Sequence, residues 1–66
     1  MIDPAKNELE WAVYDITMAI NSLNNALETS PESYIPLIKH EIDNLKEVRK
    51  LIEKIMEMLE DEDGQA

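Results

Sequence analysis

YIPLIKHEIDNLKEVRKLIEKIMEML, the segment from Tyr34 to Leu59, decides the fold of this chain. Its apolar residues recur at spacings of three and four, a pattern that places side chains along one side of an α-helix. Such a helix is not stable alone in water, so the remainder of the chain is expected to supply its partner. The apolar set comprises Tyr34, Leu37, Ile38, Ile42, Leu45, Val48, Leu51, Ile52, Ile55, Met56, Met58 and Leu59.

The N-terminal half carries a matching amphipathic pattern. Apolar residues repeat there every seven positions and predict one apolar helix face. Because small Ala side chains let a second helix approach closely, we expect a tight antiparallel pair. The repeating columns are Leu9, Ile16 and Leu23; Ala12, Ala19 and Ala26; and Val13, Ile20 and Leu27.

Capping residues set the helix boundaries. Asp3 can accept from an early backbone N–H, and Pro4 suits the first helical position, where no donor is missed. The predicted helices span residues 4–28 and 34–60, within a single hairpin domain of residues 1–60. Residues 61–66 are expected to form an acidic, disordered tail, because acids at a helix C-terminus oppose the helix dipole.

The connection between the helices is a polar turn over residues 29–33. Ser33 as the N-cap of the second helix would place Pro36 within the first helical turn, where proline is tolerated. A cap at Ser30 with a bend near Pro36 is the alternative.

The apolar positions of the second helix spread over roughly 180°, which is wider than one partner helix covers. Two hairpins packed as a four-helix bundle would bury the excess, since each long helix would then touch two neighbours. We therefore predict an all-α fold, an antiparallel two-helix hairpin that dimerises into a four-helix bundle. The predicted oligomer interface is Leu37, Leu45, Val48, Leu51, Ile52, Ile55, Met58 and Leu59.

Trp11, Tyr14 and Met18 lie nearly opposite the Leu9 and Ile16 column on the first helix. Aromatic residues clustered on a surface are typical of an interface, so these three residues are the predicted partner-binding patch. The partner is either a further copy of the chain, in an assembly higher than the dimer, or another protein. The alternative is a bundle edge with no partner.

The chain has a net charge of −9 at pH 7. Residues 1–29 carry one Lys and five acids, residues 30–60 five bases and seven acids, and residues 61–66 three acids, giving −4, −2 and −3. This surface repels phosphate backbones and anionic membranes, which disfavours nucleic acid and lipid as partners. It favours a second copy of the chain and another protein with a basic or apolar surface.

With no Cys and a single His, neither a disulfide nor a structural transition-metal site is expected, and no cofactor is predicted. The start of the chain lacks the pattern of a secretory signal, and its apolar runs are too short to cross a membrane. We expect a soluble, cytoplasmic protein that is stabilised by oligomerisation.

The string His40-Glu41-Ile42-Asp43-Asn44 resembles the start of the phosphoacceptor helix in dimeric histidine kinases. That resemblance implies phosphoryl transfer to His40, although the string lies on the second helix and no ATP-binding region follows it. A solvated surface His is the interpretation that we adopt. Carboxylate pairs such as Glu53 with Glu57 are interpreted as a solvated charged face, and we expect no enzyme activity.

The layout of two helices, a short turn and an acidic ending resembles the Rop family of small plasmid RNA-binding proteins. That resemblance implies a nucleic-acid-directed regulator, and an acidic mimic of nucleic acid is a related alternative. The sequence favours a non-enzymatic helical protein–protein interaction module, with the regulator as the alternative. The basic residues that an RNA-binding face would use are Lys39, Lys46, Arg49, Lys50 and Lys54.

Overall fold

The chain forms a helical hairpin in the computed structural model, which describes the backbone of residues 4–65 and the side chains of residues 4–61. Helix α1 spans Pro4–Thr29, a 3₁₀ turn covers Glu32–Tyr34, and helix α2 spans Ile35–Gln65. The molecule is a rod of 53 × 15 × 11 Å. The prediction of an all-α fold built from two packed helices is confirmed.

Helix α2 continues through Gln65, whereas the sequence predicted an end at Glu60 and a disordered tail. The residues after Leu59 include no proline, and a single Gly lowers helix stability by only about 1 kcal/mol, which allows the helix to continue. Helix α1 ends at Thr29, one residue beyond the predicted end. The predicted N-cap, Asp3, lies outside the described residues.

The turn between the helices differs from the predicted cap at Ser33. Ser33 lies within the 3₁₀ turn, which is closed by the backbone N–H of Tyr34 donating to the carbonyl of Pro31 at 3.0 Å. Helix α2 begins at Ile35, so Pro36 is its second residue, where a missing N–H leaves no helical hydrogen bond unmade.

The C-terminus of α1 is closed by side-chain hydroxyls. Ser30 Oγ donates to the carbonyl of Ala26 at 2.5 Å, and Thr29 Oγ1 reaches the same carbonyl at 3.4 Å. Both hydroxyls therefore add hydrogen bonds to a carbonyl in the last turn of α1. No residue among those described needs a positive φ to make the connection.

The hairpin core consists of heptad columns from both helices, here called the inner columns. Ile20 and Ile42, each 5% exposed, are the only buried residues among the described side chains. So small a core is marginal for a chain of 66 residues. The other apolar members are half-buried: Leu9, Val13, Ile16, Leu23 and Leu27 on α1, and Ile35, Ile38, Leu45, Ile52, Met56 and Leu59 on α2.

Polar contacts between the helices fix their antiparallel register. The Arg49 side chain occupies an inner column of α2, and its Nη1 donates to Thr17 Oγ1 at 3.1 Å. Thr17 Oγ1 in turn donates to the carbonyl of Val13 at 2.9 Å. An ion pair between Lys6 and Glu60 joins the start of α1 to the distal part of α2. The first contact joins the middle of α1 to the middle of α2, and the second joins the start of α1 to a late residue of α2, as expected for an antiparallel pair.

We expect the Arg49–Thr17 hydrogen bond to contribute about 1 kcal/mol to the free energy of unfolding, because its donor is charged and only partly exposed. A double-mutant cycle with Thr17→Val and Arg49→Met, read by denaturant unfolding at one protein concentration, measures this coupling. A coupling energy indistinguishable from zero would show that the two side chains do not interact.

Candidate protein-interaction surfaces

Helix α2 carries a second pair of heptad columns, whose residues each come one position before a residue of an inner column. We call them the outer columns. Their apolar members are between 45% and 63% exposed after the hairpin has closed. Glu41 and Asn44 interrupt these columns near the turn. The exposed large apolar members are Tyr34, Leu37, Val48, Leu51, Ile55 and Met58.

The structure divides the eight residues of the predicted oligomer interface. Leu45, Ile52 and Leu59 are half-buried members of the inner columns, so the hairpin itself uses them. The other five are exposed and belong to the outer columns. These five are Leu37, Val48, Leu51, Ile55 and Met58.

The outer columns lie on the same side of the hairpin as the Ala column of α1. Each residue step turns a helix by about 100°, and reversing one helix reverses the sense of that turn. In an antiparallel pair, the residues that come one position before an inner-column residue therefore lie on the same side of the hairpin in both helices. Ala12, Ala19 and Ala26 each precede an inner residue of α1, as Val48 and Ile55 precede inner residues of α2. We call this the apolar side of the hairpin.

The contacts between helices that involve polar side chains lie toward the opposite side. Thr17 directly follows the inner residue Ile16, and Glu60 directly follows the inner residue Leu59. By the same geometry, residues that come one position after an inner-column residue lie on the side of the hairpin opposite the apolar side. The rule of the preceding paragraph also places Glu8, Asp15 and Ser22, which precede the inner residues Leu9, Ile16 and Leu23, at the α1 edge of the apolar side. That side is therefore apolar along α2 and the Ala column, and its apolar residues on α2 remain exposed in the hairpin.

Trp11, Tyr14 and Met18, the predicted partner-binding patch, are all exposed, and Trp11, at 64%, is the most exposed large apolar residue within residues 4–61. The ring centroids of Trp11 and Tyr14 are 6.0 Å apart, and the rings meet edge to face at 83°. This aromatic patch lies on the back of α1, roughly 180° around the helix from Ile16 and Ile20. It faces away from α2 and is separate from the apolar side.

A shallow cleft of about 260 Å³ opens beside these rings. Residues at spacings of three and four on the first turns of α1 line it, which places them on one helix face. The sequence had not singled out Asn7 and Glu10 as site residues, because isolated polar residues on a helix are ordinarily solvated. The lining residues are Asn7, Glu10, Trp11 and Tyr14.

The remaining candidate residues are dispersed over the surface. His40 is exposed on α2, as are Glu53 and Glu57. No group of three or more His, Cys, Asp or Glu side chains that could hold a metal ion occurs within residues 4–61. Neither helix, over its described residues, is long and apolar enough to cross a membrane.

The basic cluster considered for RNA binding is also divided. Arg49 turns into the hairpin, where it is half-buried and bonded to Thr17. The remaining members, Lys39, Lys46, Lys50 and Lys54, are exposed on α2. The only arginine of the chain is therefore removed from the face that the Rop-like interpretation requires.

Comparison with known proteins found no matching family model, no matching curated protein and no matching solved structure.

Proposed function

We propose that this chain is a non-enzymatic helical interaction module that works as a homodimer, with two hairpins joined through their apolar sides into a four-helix bundle. The observation that carries the proposal is the set of outer-column residues on α2 that remain exposed when the hairpin closes. An exposed apolar side together with a small core is typical of a helix pair that completes its core by associating with another helix pair.

The Ala column supports a second copy as the occupant. Small side chains at positions 12, 19 and 26 let a neighbouring helix approach α1 closely, while the larger outer-column residues of α2 interlock beside them. In a two-fold dimer the same surface is used by both copies, so an apolar patch meets an apolar patch. The polar side, with its ion pair and hydrogen bond, stays in water.

Asn44 supplies specificity within the same surface. It lies in an outer column, seven residues from both Leu37 and Leu51. A polar side chain at one such position limits the registers in which two helices pack, at some cost in stability. The aromatic patch stays outside this dimer and remains available for contact with another protein.

Cross-linking tests the proposed interface cleanly, because the chain has no Cys. Single variants Leu51→Cys and Ile55→Cys are expected to yield covalent dimers with a short bismaleimide linker in much higher yield than Lys46→Cys and Glu53→Cys. The two control positions are exposed and lie away from the apolar side. Equal yields at all four positions would indicate random collision and contradict the proposed contact surface.

A further inference from the structure

We propose that the cleft at Asn7, Glu10, Trp11 and Tyr14 binds an arginine side chain presented by a basic segment of a partner protein. This inference rests on the proposed role of the chain in protein contact, but it does not depend on dimerisation. It identifies the kind of partner that the aromatic patch accepts.

The chemistry of the cleft fits a planar cation. A guanidinium group can stack on an aromatic face and at the same time donate hydrogen bonds to a carboxylate. Because Trp11 and Tyr14 meet edge to face, at least one face of each ring is left uncovered by the other. Glu10 supplies the carboxylate and Asn7 an amide oxygen within the same cleft.

The charge of α1 favours the same ligand. Between Pro4 and Thr29 the helix carries four acids and one base, and the base, Lys6, is paired with Glu60 of α2. Glu8 and Asp15 lie within about a turn of the cleft residues and are exposed. The local field therefore attracts a cation and repels an anionic ligand.

The size of the cleft favours one inserted side chain over a cofactor. Its volume, about 260 Å³, is below the roughly 300–1,000 Å³ typical of small-molecule sites. A purely apolar side chain would cover Glu10 without giving its carboxylate a hydrogen-bond donor, which is unfavourable. An arginine covers the rings and supplies that donor.

The arginine must come from another protein. Arg49 is the only arginine of this chain, and its guanidinium is half-buried between the helices and bonded to Thr17. A second copy of the hairpin consequently offers no free arginine.

Fluorescence of Trp11, the only tryptophan, reports directly on the cleft. The full chain is titrated with a helical peptide that carries arginines in an alanine background, and with the same peptide containing neutral citrulline instead. We expect a saturable change in emission with the arginine peptide and none with the citrulline peptide. Glu10→Gln should weaken binding about tenfold, and Tyr14→Leu about fivefold, through loss of the charged acceptor and of one ring face.

Glu28→Gln is the matched control, because it makes the same charge change at an exposed site on the same helix, roughly 27 Å from Glu10. It should leave binding within about twofold. Equal weakening by Glu10→Gln and Glu28→Gln, equal binding of both peptides, or no binding at all would overturn the proposal. An emission change on dilution without peptide would instead assign the cleft to a second copy.

Light scattering on the same samples separates this inference from dimerisation. A monomer that binds the arginine peptide would contradict the proposed dimer and leave the cleft assignment standing. A dimer that does not bind the peptide would support the proposed dimer and contradict the cleft assignment.

Discussion

Replacement of Leu51 by Glu is expected to weaken the homodimer by about a hundredfold or more. Leu51 is 56% exposed in the hairpin and lies at the middle of the apolar part of the outer columns. Full burial of a Leu side chain is worth about 1.5–3 kcal/mol, and two-fold symmetry removes this contribution from both copies. The variant also places two carboxylates without partners in an apolar contact.

The measurement is the dimer dissociation constant from sedimentation equilibrium. Lys46→Gln is the matched control, because it lowers the net charge by the same amount at an exposed position away from the apolar side. It should change the dissociation constant by less than about threefold, as expected for a single surface charge. If Leu51→Glu behaved like Lys46→Gln, the outer columns would not be the dimer contact.

Truncation of Ile42 to Ala is expected to lower the free energy of unfolding by about 2–4 kcal/mol. Ile42 is 5% exposed, so shortening its side chain leaves a cavity between the helices that their packing fills only partly. For a chain of this length the total stability is roughly 3–10 kcal/mol, so the loss is a large fraction of it. Ile20→Ala should have an effect of the same order, because Ile20 is equally buried.

Denaturant unfolding at one fixed protein concentration measures this effect, since the stability of a dimer depends on concentration. Ile42→Val should lower the free energy of unfolding by only about 0.5–1.5 kcal/mol, because it removes less side-chain volume than Ile42→Ala. Met18→Ala, at an exposed position on the back of α1, is expected to stay within about 0.5 kcal/mol of the wild type. A loss for Ile42→Ala no larger than that for Met18→Ala would show that the inner columns do not form the core.

The helix pair could be predicted from the sequence because its heptad columns are long and nearly unbroken. Val13, Ile20 and Leu27 on α1 repeat at the period of a buried face, and the structure places them in the inner columns. A repeat of that length constrains which side of a helix is covered, even without knowledge of the partner. The exposure of Trp11 could be predicted in the same way, because its position on the helix is nearly opposite the column of Leu9 and Ile16.

The turn and the helix end were less predictable because they depend on weak local preferences. The 3₁₀ turn over Glu32–Tyr34 depends on two local backbone hydrogen bonds, from Tyr34 to Pro31 and from Ile35 to Glu32. The continuation of α2 to Gln65 depends on small helix propensities, which sum to little over a few residues. Sequence patterns assign such boundaries poorly.

Arg49 and Glu10 show why the candidate sites were only partly visible. A charged residue within a helical pattern is ordinarily solvated, and the hydrogen bond to Thr17 that turns Arg49 inward depends on the register of two helices. Glu10 gains significance only beside Trp11 and Tyr14 in one cleft. The sequence analysis also grouped Leu45, Ile52 and Leu59 with the outer-column residues in one interface, and the structure separates the two sets by their exposure.

The mass of the unmodified chain in solution shows whether two hairpins associate. Light scattering over a dilution series is expected to give twice the chain mass of 7.6 kDa at high concentration, with a fall toward the single-chain value on dilution. Helix content should decrease along with the mass, because Ile20 and Ile42 are the only buried side chains of the isolated hairpin within residues 4–61. A folded helical monomer of 7.6 kDa that persists throughout the series would rule out the proposed dimer.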